Sequence, residues 1–254
     1  MTLLYHAVMP TPTGADDDER GLFVSPQRFE RQMATLLDRG FRSLTLDDFA
    51  TAVRSGRAPR RSFLLTFDDA YAHVDQAVTP VLLRLGLTAV MFVPVGHMGS
   101  TNTWDADHAH LGWPLAGGDQ LRGMAAGPWE LASHGLRHVD LRRCETRRRR
   151  RELAEAREVL SMVAGRSVGE LAYPYGAHDP GVREDARAAG YGLAFEAVAG
   201  HRASLYSLPR RPVRGTDSAS TFRLKTAAAG AAAYSVHRWL RERHAPARQQ
   251  GAPA

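Results

Sequence analysis

Residues 62–69, SFLLTFDD, set an uninterrupted apolar run directly before two adjacent carboxylates. Phe63, Leu64, Leu65, Thr66 and Phe67 form a short β-prone stretch with no polar face, the pattern of a strand buried on both sides. Similar runs recur along the chain as LLYHAV, FRSLTL, LTAVMFVP, WELASHG, ELAYPY and YGLAFEA. Amphipathic stretches lie between them, around Pro26 to Arg39, Asp75 to Leu85, Glu145 to Ala164 and Gly181 to Ala189. Buried strands alternating with helices indicate an α/β fold, a mainly parallel sheet or barrel. In such folds the C-terminal ends of the strands carry the chemistry. Asp68 and Asp69 stand at one such end.

Two like charges at the end of a buried strand repel each other, so something must hold them. In one reading Asp69 caps a helix that starts near Ala70 and Tyr71, where an oxygen acceptor satisfies free backbone N–H groups. In the other, one carboxylate binds a cation and its neighbour handles a proton.

WELASHGLRHVDL, residues 129–141, carries His134 and His138 four positions apart. On a helical turn that spacing points both imidazoles the same way, so both can reach one metal ion. A zinc protease would have Glu directly after the first histidine as its general base. Here that position is Gly135, and a base must come from elsewhere. The Asp pair can supply it: two histidines and one carboxylate leave a position open for water on a divalent ion, which lowers the pKa of that water. One Asp would complete the ligand set and the other would accept the proton. A third stretch, ELAYPYGAHDP at residues 170–180, is a Pro- and Gly-shaped turn after a strand. A rigid turn there can aim backbone N–H groups into a cleft, as an oxyanion hole requires.

Composition limits the alternatives. Over 254 residues, 44% hydrophobic content suits a globular core. The excess of Lys and Arg over Asp and Glu is 6, with a pI near 10.0, and it is spread thinly except at residues 147–151, five consecutive arginines. Five successive helical residues point around more than one turn, and Glu145, Glu152, Glu155 and Glu158 lie nearby to compensate them, which favours a solvated helix face over a nucleic-acid site. The single cysteine, Cys144, excludes a disulfide framework and a cysteine-based zinc site. The N-terminus, MTLLYHAVMPTPTG, lacks a basic region followed by a sustained apolar stretch, and no segment reaches the roughly 20 apolar residues of a membrane span. A cytoplasmic protein is therefore expected. Residues 96–128, with seven glycines, two tryptophans and three histidines, form a long excursion above the strand ends. The run from Lys225 onward is Ala-rich and is expected to be a C-terminal helix with a frayed tail.

TFDD, SHGLRH and AYPYG, in that order and at these separations, resemble the polysaccharide deacetylase family, also called carbohydrate esterase family four or the NodB-homology domain. LLYHAV, VSPQRFERQMATLLDRGFRSLTLDD and LPRRPV at residues 208–213 extend the resemblance to about residues 3–225. It implies a distorted (β/α) barrel in a catalytic domain over residues 1–225, with residues 226–254 as the C-terminal helix and tail. It implies hydrolysis of N-acetyl, and sometimes O-acetyl, groups on sugars. By motif match Asp68 is the general base, and Asp69, His134 and His138 bind one divalent ion, Zn²⁺ or alternatively Co²⁺. The Tyr175 backbone N–H would help the ion stabilise the tetrahedral oxyanion, and acetate and a free amine would be the products. His6, Trp104, Pro174 and Tyr175 are the expected substrate contacts, and the cation answers the repulsion between the paired carboxylates.

The sequence departs from the family pattern at several points. Gly135 replaces the Ser or Thr that commonly follows the first histidine. Ala172 stands where many members have an Arg that orients the catalytic Asp, a role Arg210 is placed to take over. The late motif that usually brings a histidine general acid is not recognisable, which leaves His6, His178 and His201 as candidates. Trp104 and Asp105, with Trp113, supply either a sugar-stacking wall or a simple lid. Acetamido sugars are the expected partners, within a glycan, glycolipid or small glycoconjugate, with no nucleic acid and no membrane span. Two rival readings are a hydrolase of another, possibly cyclic, amide on the same scaffold and a non-catalytic nucleic-acid-binding or scaffold protein.

Overall fold

The computed structural model of the chain describes residues 1–9, 21–57, 59–104, 112–197 and 203–227. Its strands are β1 (Thr2–Tyr5), β2 (Ala7–Val8), β3 (Phe23–Val24), β4 (Arg42–Ser43), β5 (Ser62–Phe67), β6 (Ala89–Val93), β7 (Trp129–Ser133), β8 (Glu170–Ala172), β9 (Leu193–Phe195) and β10 (Arg211–Pro212). The helices between them are α1 (Pro26–Asp38), α2 (Leu46–Ser55), α3 (Ala72–Leu85), α4 (Gly118–Ala125), α5 (Thr146–Ala164) and α6 (Pro180–Ala188). The main sheet runs β10-β1-β5-β6-β7-β8-β9, with β4 beside the first residues of β5, and each of its strand pairings is parallel. β2 and β3 form a small separate parallel pair.

Strand alternation explains why β5 is apolar throughout. Leu64 points to the inner side of the curled sheet, where it belongs to one buried cluster with Val90, Phe92, Ala132, Ala172, Phe195 and Leu208. Phe67 points outward and meets Phe29 of α1 and Trp129, at ring separations of 5.8 and 5.1 Å. Each face is sealed by hydrophobic contact worth about 1.5–3 kcal/mol per large side chain. The two sheet edges are linked by one extended segment, residues 207–213. Leu208 pairs with Phe195 at the end of β9, while Arg211 and Pro212 pair with Leu3 and Leu4 of β1. The result is a curled, mainly parallel half-barrel, and Arg210 lies where the linking segment crosses from one edge to the other.

Several sequence expectations shift in detail. LLYHAV divides at His6 into β1 and β2, which belong to different sheets. FRSLTL contributes only two strand residues before α2, whose N-cap Thr45 accepts from the Asp48 N–H at 3.1 Å, with Asp47 and Asp48 in the first turn. The excursion over residues 96–128 contains a helix, α4. Asp69 does not cap α3: the N-cap is Tyr71, with no side-chain capping bond, and Asp69 is in the left-handed region at φ 71°.

A second compact unit begins at Asp217. Its described part holds α7 (Ala219–Lys225), capped by Ser218, and a buried Lys225–Asp217 ion pair at 2.6 Å. The expected Ala-rich helix and tail fall mostly within residues 228–254, outside the described residues. Among those described, no helix is long and apolar enough to cross a membrane.

Candidate metal centre and active site

The strand ends of the half-barrel place the motif residues around one point. Asp68 and Asp69 follow β5, His134 follows β7, Tyr173–Gly176 follows β8, and His6 follows β1. The parallel register sets Tyr5 beside Phe67, and Val93 beside Ser133, so these loop residues leave the sheet at one level. Of the five non-glycine residues with positive φ among the described residues, four lie here: Asp69, Ala70, His138 and Tyr175, at φ 71, 54, 52 and 59°. Such backbones cost of order 1–3 kcal/mol each and persist where the surroundings over-determine them, as at functional sites.

Asp69, His134 and His138 are all buried, and one ligand atom from each lies within 4.8 Å of the others. Asp69 Oδ1 is 3.5 Å from His134 Nε2 and 3.3 Å from His138 Nε2. The His134 Nδ1 group lies 2.8 Å from the Ala172 carbonyl and donates to it, which leaves Nε2 as the lone-pair nitrogen facing Asp69. One carboxylate and two neutral imidazoles are a donor set suited to Zn²⁺ or a similar divalent ion, with room in the ligand count for water. The residues therefore fit the group the motifs imply. Burial lowers the His134 pKa against the opposing pull of Asp68, which keeps the ring in the neutral, ligating form.

The helical-turn expectation for the histidine pair is corrected. Both residues lie in the loop after β7, where Gly135 at φ 79° and His138 at φ 52° fold the chain back so that the rings come within 4.9 Å. Gly135 also explains a departure from the family pattern. A Cβ there would meet Pro174 at an ordinary 3.6 Å, but the left-handed backbone itself favours glycine over Ser or Thr. The loop is held from two sides. Val95 and Gly96 N–H groups donate to the Gly135 and Leu136 carbonyls at 3.1 and 2.8 Å, and buried Glu152 of α5 accepts the Arg137 N–H at 2.9 Å. A Cβ on Gly96 would sit 2.7 Å from the Leu136 oxygen, so Gly96→Ala must push the ligand loop away. The expected outcome is a loss of up to about 10²-fold in kcat/KM with secondary structure retained, measured by acetate release and circular dichroism.

Asp68 is fixed in a different manner. Arg210, fully buried, donates from Nη1 to Oδ1 at 2.6 Å and from Nη2 to Oδ2 at 2.7 Å. The guanidinium is itself seated by the Glu196 carbonyl, which accepts from Nε at 3.1 Å, and it lies 5.2 Å over the Phe92 ring. Burial alone would raise the Asp68 carboxyl, but Arg210, with His134 and His6 nearby, holds it down at about 2. Ala172 is buried in the inner core, and the guanidinium that meets Asp68 comes from the segment closing the sheet edges.

The other sequence candidates divide. Trp104 stacks on His138 at 4.3 Å with 28° between planes, and Tyr175 meets the same ring edge-on at 4.6 Å. Pro174 is buried in the turn after β8, beside Gly135. His97, which the sequence reading did not single out, sits edge-on to Trp104 at 4.9 Å and lines the same cleft. Trp113 instead packs against Phe23 at 4.5 Å, beside Tyr71 and His73. Burial lowers the His6 pKa, with Asp69 and Asp68 pulling the other way, which places His6 among the central charges. His178 has both ring nitrogens engaged: its Nε2 faces Glu196 at 2.9 Å and its Nδ1 faces Arg183 at 3.0 Å. His201 and Asp105 lie outside the described residues.

Comparison with known proteins agrees with this architecture. The Bacillus subtilis protein YxkH is 25% identical over 224 residues, covering 87% of this chain and 73% of the relative. A poly-beta-1,6-N-acetyl-D-glucosamine N-deacetylase of Staphylococcus aureus is 26% identical over 162 residues, 60% of this chain and only 53% of that longer protein. In fold, the chain is similar to the Streptococcus pyogenes deacetylase PplD in complex with acetate, with a TM-score of 0.77 at 21% identity over 89% of this chain and 97% of that one. The family profile described as polysaccharide deacetylase matches residues 55–194, the span that holds both carboxylates, both histidines and the AYPYG turn. The chain belongs to the polysaccharide deacetylase family.

Proposed function

We propose that the chain is a divalent-metal-dependent N-deacetylase that hydrolyses the N-acetyl group of an acetamido sugar in a glycan, glycolipid or small glycoconjugate and releases acetate. The observation that carries the reading is the convergence of Asp69, His134 and His138 within 4.8 Å, next to a carboxylate gripped by Arg210. Zn²⁺ is the ion this donor set favours, with Co²⁺ as the natural substitute. When bound, such an ion makes water more acidic and polarises an acetyl carbonyl.

The residues supply the rest. Asp69 and the Nε2 atoms of His134 and His138 hold the cation. Asp68 accepts the proton of the attacking water at Oδ2, the oxygen nearer His134 Nε2 at 3.8 Å. A carboxylate held at about 2 is ionised at any working pH but is a weak base, so proton transfer to it relies on the acidity of the water rather than on a tuned Asp. Arg210 fixes the orientation of Asp68 and keeps it anionic. The Tyr175 turn, at φ 59°, offers its backbone N–H to the developing oxyanion. His6 is the histidine near the central charges available to protonate the leaving amine. The test is acetate release from a panel of acetamido sugars, with and without a chelator. Release that the chelator abolishes and added Zn²⁺ restores is expected; chelator-insensitive release would refute the metal-dependent reading.

A further inference from the structure

Beside His138 opens a cleft of about 730 Å³, lined by Trp104 and Tyr175 and by the charged side chains of Arg137, Asp140, Arg143 and Arg148. The arginine side chains are 50, 83 and 55% exposed. Of the carboxylates that accompany them, Glu152 is buried and Asp140, at the cleft, is 16% exposed. Asp140 is bound through both oxygens by Arg142, at 3.0 and 2.7 Å, and reaches Arg143 only at 3.6 Å. Glu152, buried, is shared between Arg137 at 3.3 Å and Arg148 at 4.0 Å. Four guanidiniums thus share two carboxylates. The remaining acid, Glu145, accepts from the backbone N–H groups of Arg147 and Arg148. Residues 137–152 hold eight arginines against Asp140, Glu145 and Glu152, an excess of 5 in a chain whose net charge is +6.

Part of the arginine run is structural, since Arg149 and Arg150 grip Asp185 of α6 and Arg151 pairs with Glu155. Arg143 and Arg148 are different: they face the cleft next to a candidate metal ligand, with only distant, shared partners. The charged lining is Arg137, Arg143 and Arg148 against one carboxylate, Asp140, already engaged by Arg142; a cleft with such an excess of one sign concentrates ions of the other, and guanidinium matches the oxygens of phosphate and carboxylate.

Resting on the deacetylase reading, we infer that the substrate bears an anionic group, phosphate or carboxylate, close to its acetamido sugar, and that Arg143 and Arg148 bind that group while Trp104 lies beside the sugar. The test compares three probes: N-acetylglucosamine 6-phosphate, the methyl glycoside of N-acetylmuramic acid, and neutral methyl N-acetylglucosaminide. At least one anionic probe is expected to exceed the neutral one in kcat/KM by about 10-fold or more at low salt, and the better anion distinguishes phosphate from carboxylate. The preference is expected to shrink in about 0.5 M salt and to vanish in Arg143→Gln/Arg148→Gln. Equal kcat/KM for all three probes in wild type, or a preference kept in the double variant, would overturn the inference. Equilibrium binding of the same probes, followed by intrinsic tryptophan fluorescence, decides the cleft without any turnover. Acetate release from none of them would count against the deacetylase reading, while a Kd for the anion about 10-fold weaker in the double variant would still uphold anion binding in the cleft, and an unchanged Kd would refute it.

Discussion

Asp68→Asn is expected to reduce acetate release by roughly 10²- to 10⁴-fold, the usual worth of a positioned proton acceptor, while the protein still binds its divalent ion. The amide keeps the size of the carboxyl but cannot take a proton from water at neutral pH. The candidate ligand set of Asp69, His134 and His138 is left whole. Metal content and activity must therefore separate in this variant. If metal and activity are lost together in a variant that circular dichroism shows to be folded, Asp68 belongs to the ligand set instead; if activity survives at wild-type level, another group accepts the proton.

The second large effect concerns stability. Asp68 and Arg210 are both buried and paired through two hydrogen bonds of 2.6 and 2.7 Å. Removing one partner leaves an uncompensated charge in the interior, so Arg210→Met is expected to destabilise the fold by about 3–5 kcal/mol. The double variant Asp68→Asn/Arg210→Met removes both charges and is expected to recover a large part of that loss. Urea unfolding of the two single variants and the double variant gives the coupling directly. Additive losses would mean that the pair is not coupled. The pH dependence has a defined sign: Asp68 is lowered from 3.8 to about 2 in the folded chain, so the pair's contribution is complete above the unfolded value and is lost as pH falls through the folded one.

Much of the fold was legible because its signals are local. Apolar runs such as SFLLTF and LTAVMFVP became β5 and β6, and the amphipathic stretch from Pro26 became α1 with Ser25 as its cap. α2 was missed because FRSLTL continues an apolar pattern into it; the available signal was Thr45 followed by Asp47 and Asp48. The histidine pair was assigned the right proximity for the wrong reason, since an i to i+4 spacing implies a helix whereas left-handed residues at Gly135 and His138 make a folded loop. The two partners of Asp68 illustrate the remaining limit. Its neighbour Asp69 is adjacent in sequence, but the separation of 142 positions from Asp68 to Arg210 is bridged only because residues 207–213 connect both edges of the sheet. The same holds for the arginine run, where Glu155 is a local partner but Asp185 arrives from another helix.

The measurement that tests the central claim most directly is the metal content of purified protein by elemental analysis, for wild type beside His134→Ala and Asp69→Asn. About one equivalent of divalent metal per chain in wild type, lost in both folded variants, is the predicted result. A folded wild type that retains no metal, even after incubation with Zn²⁺ or Co²⁺, would contradict the account.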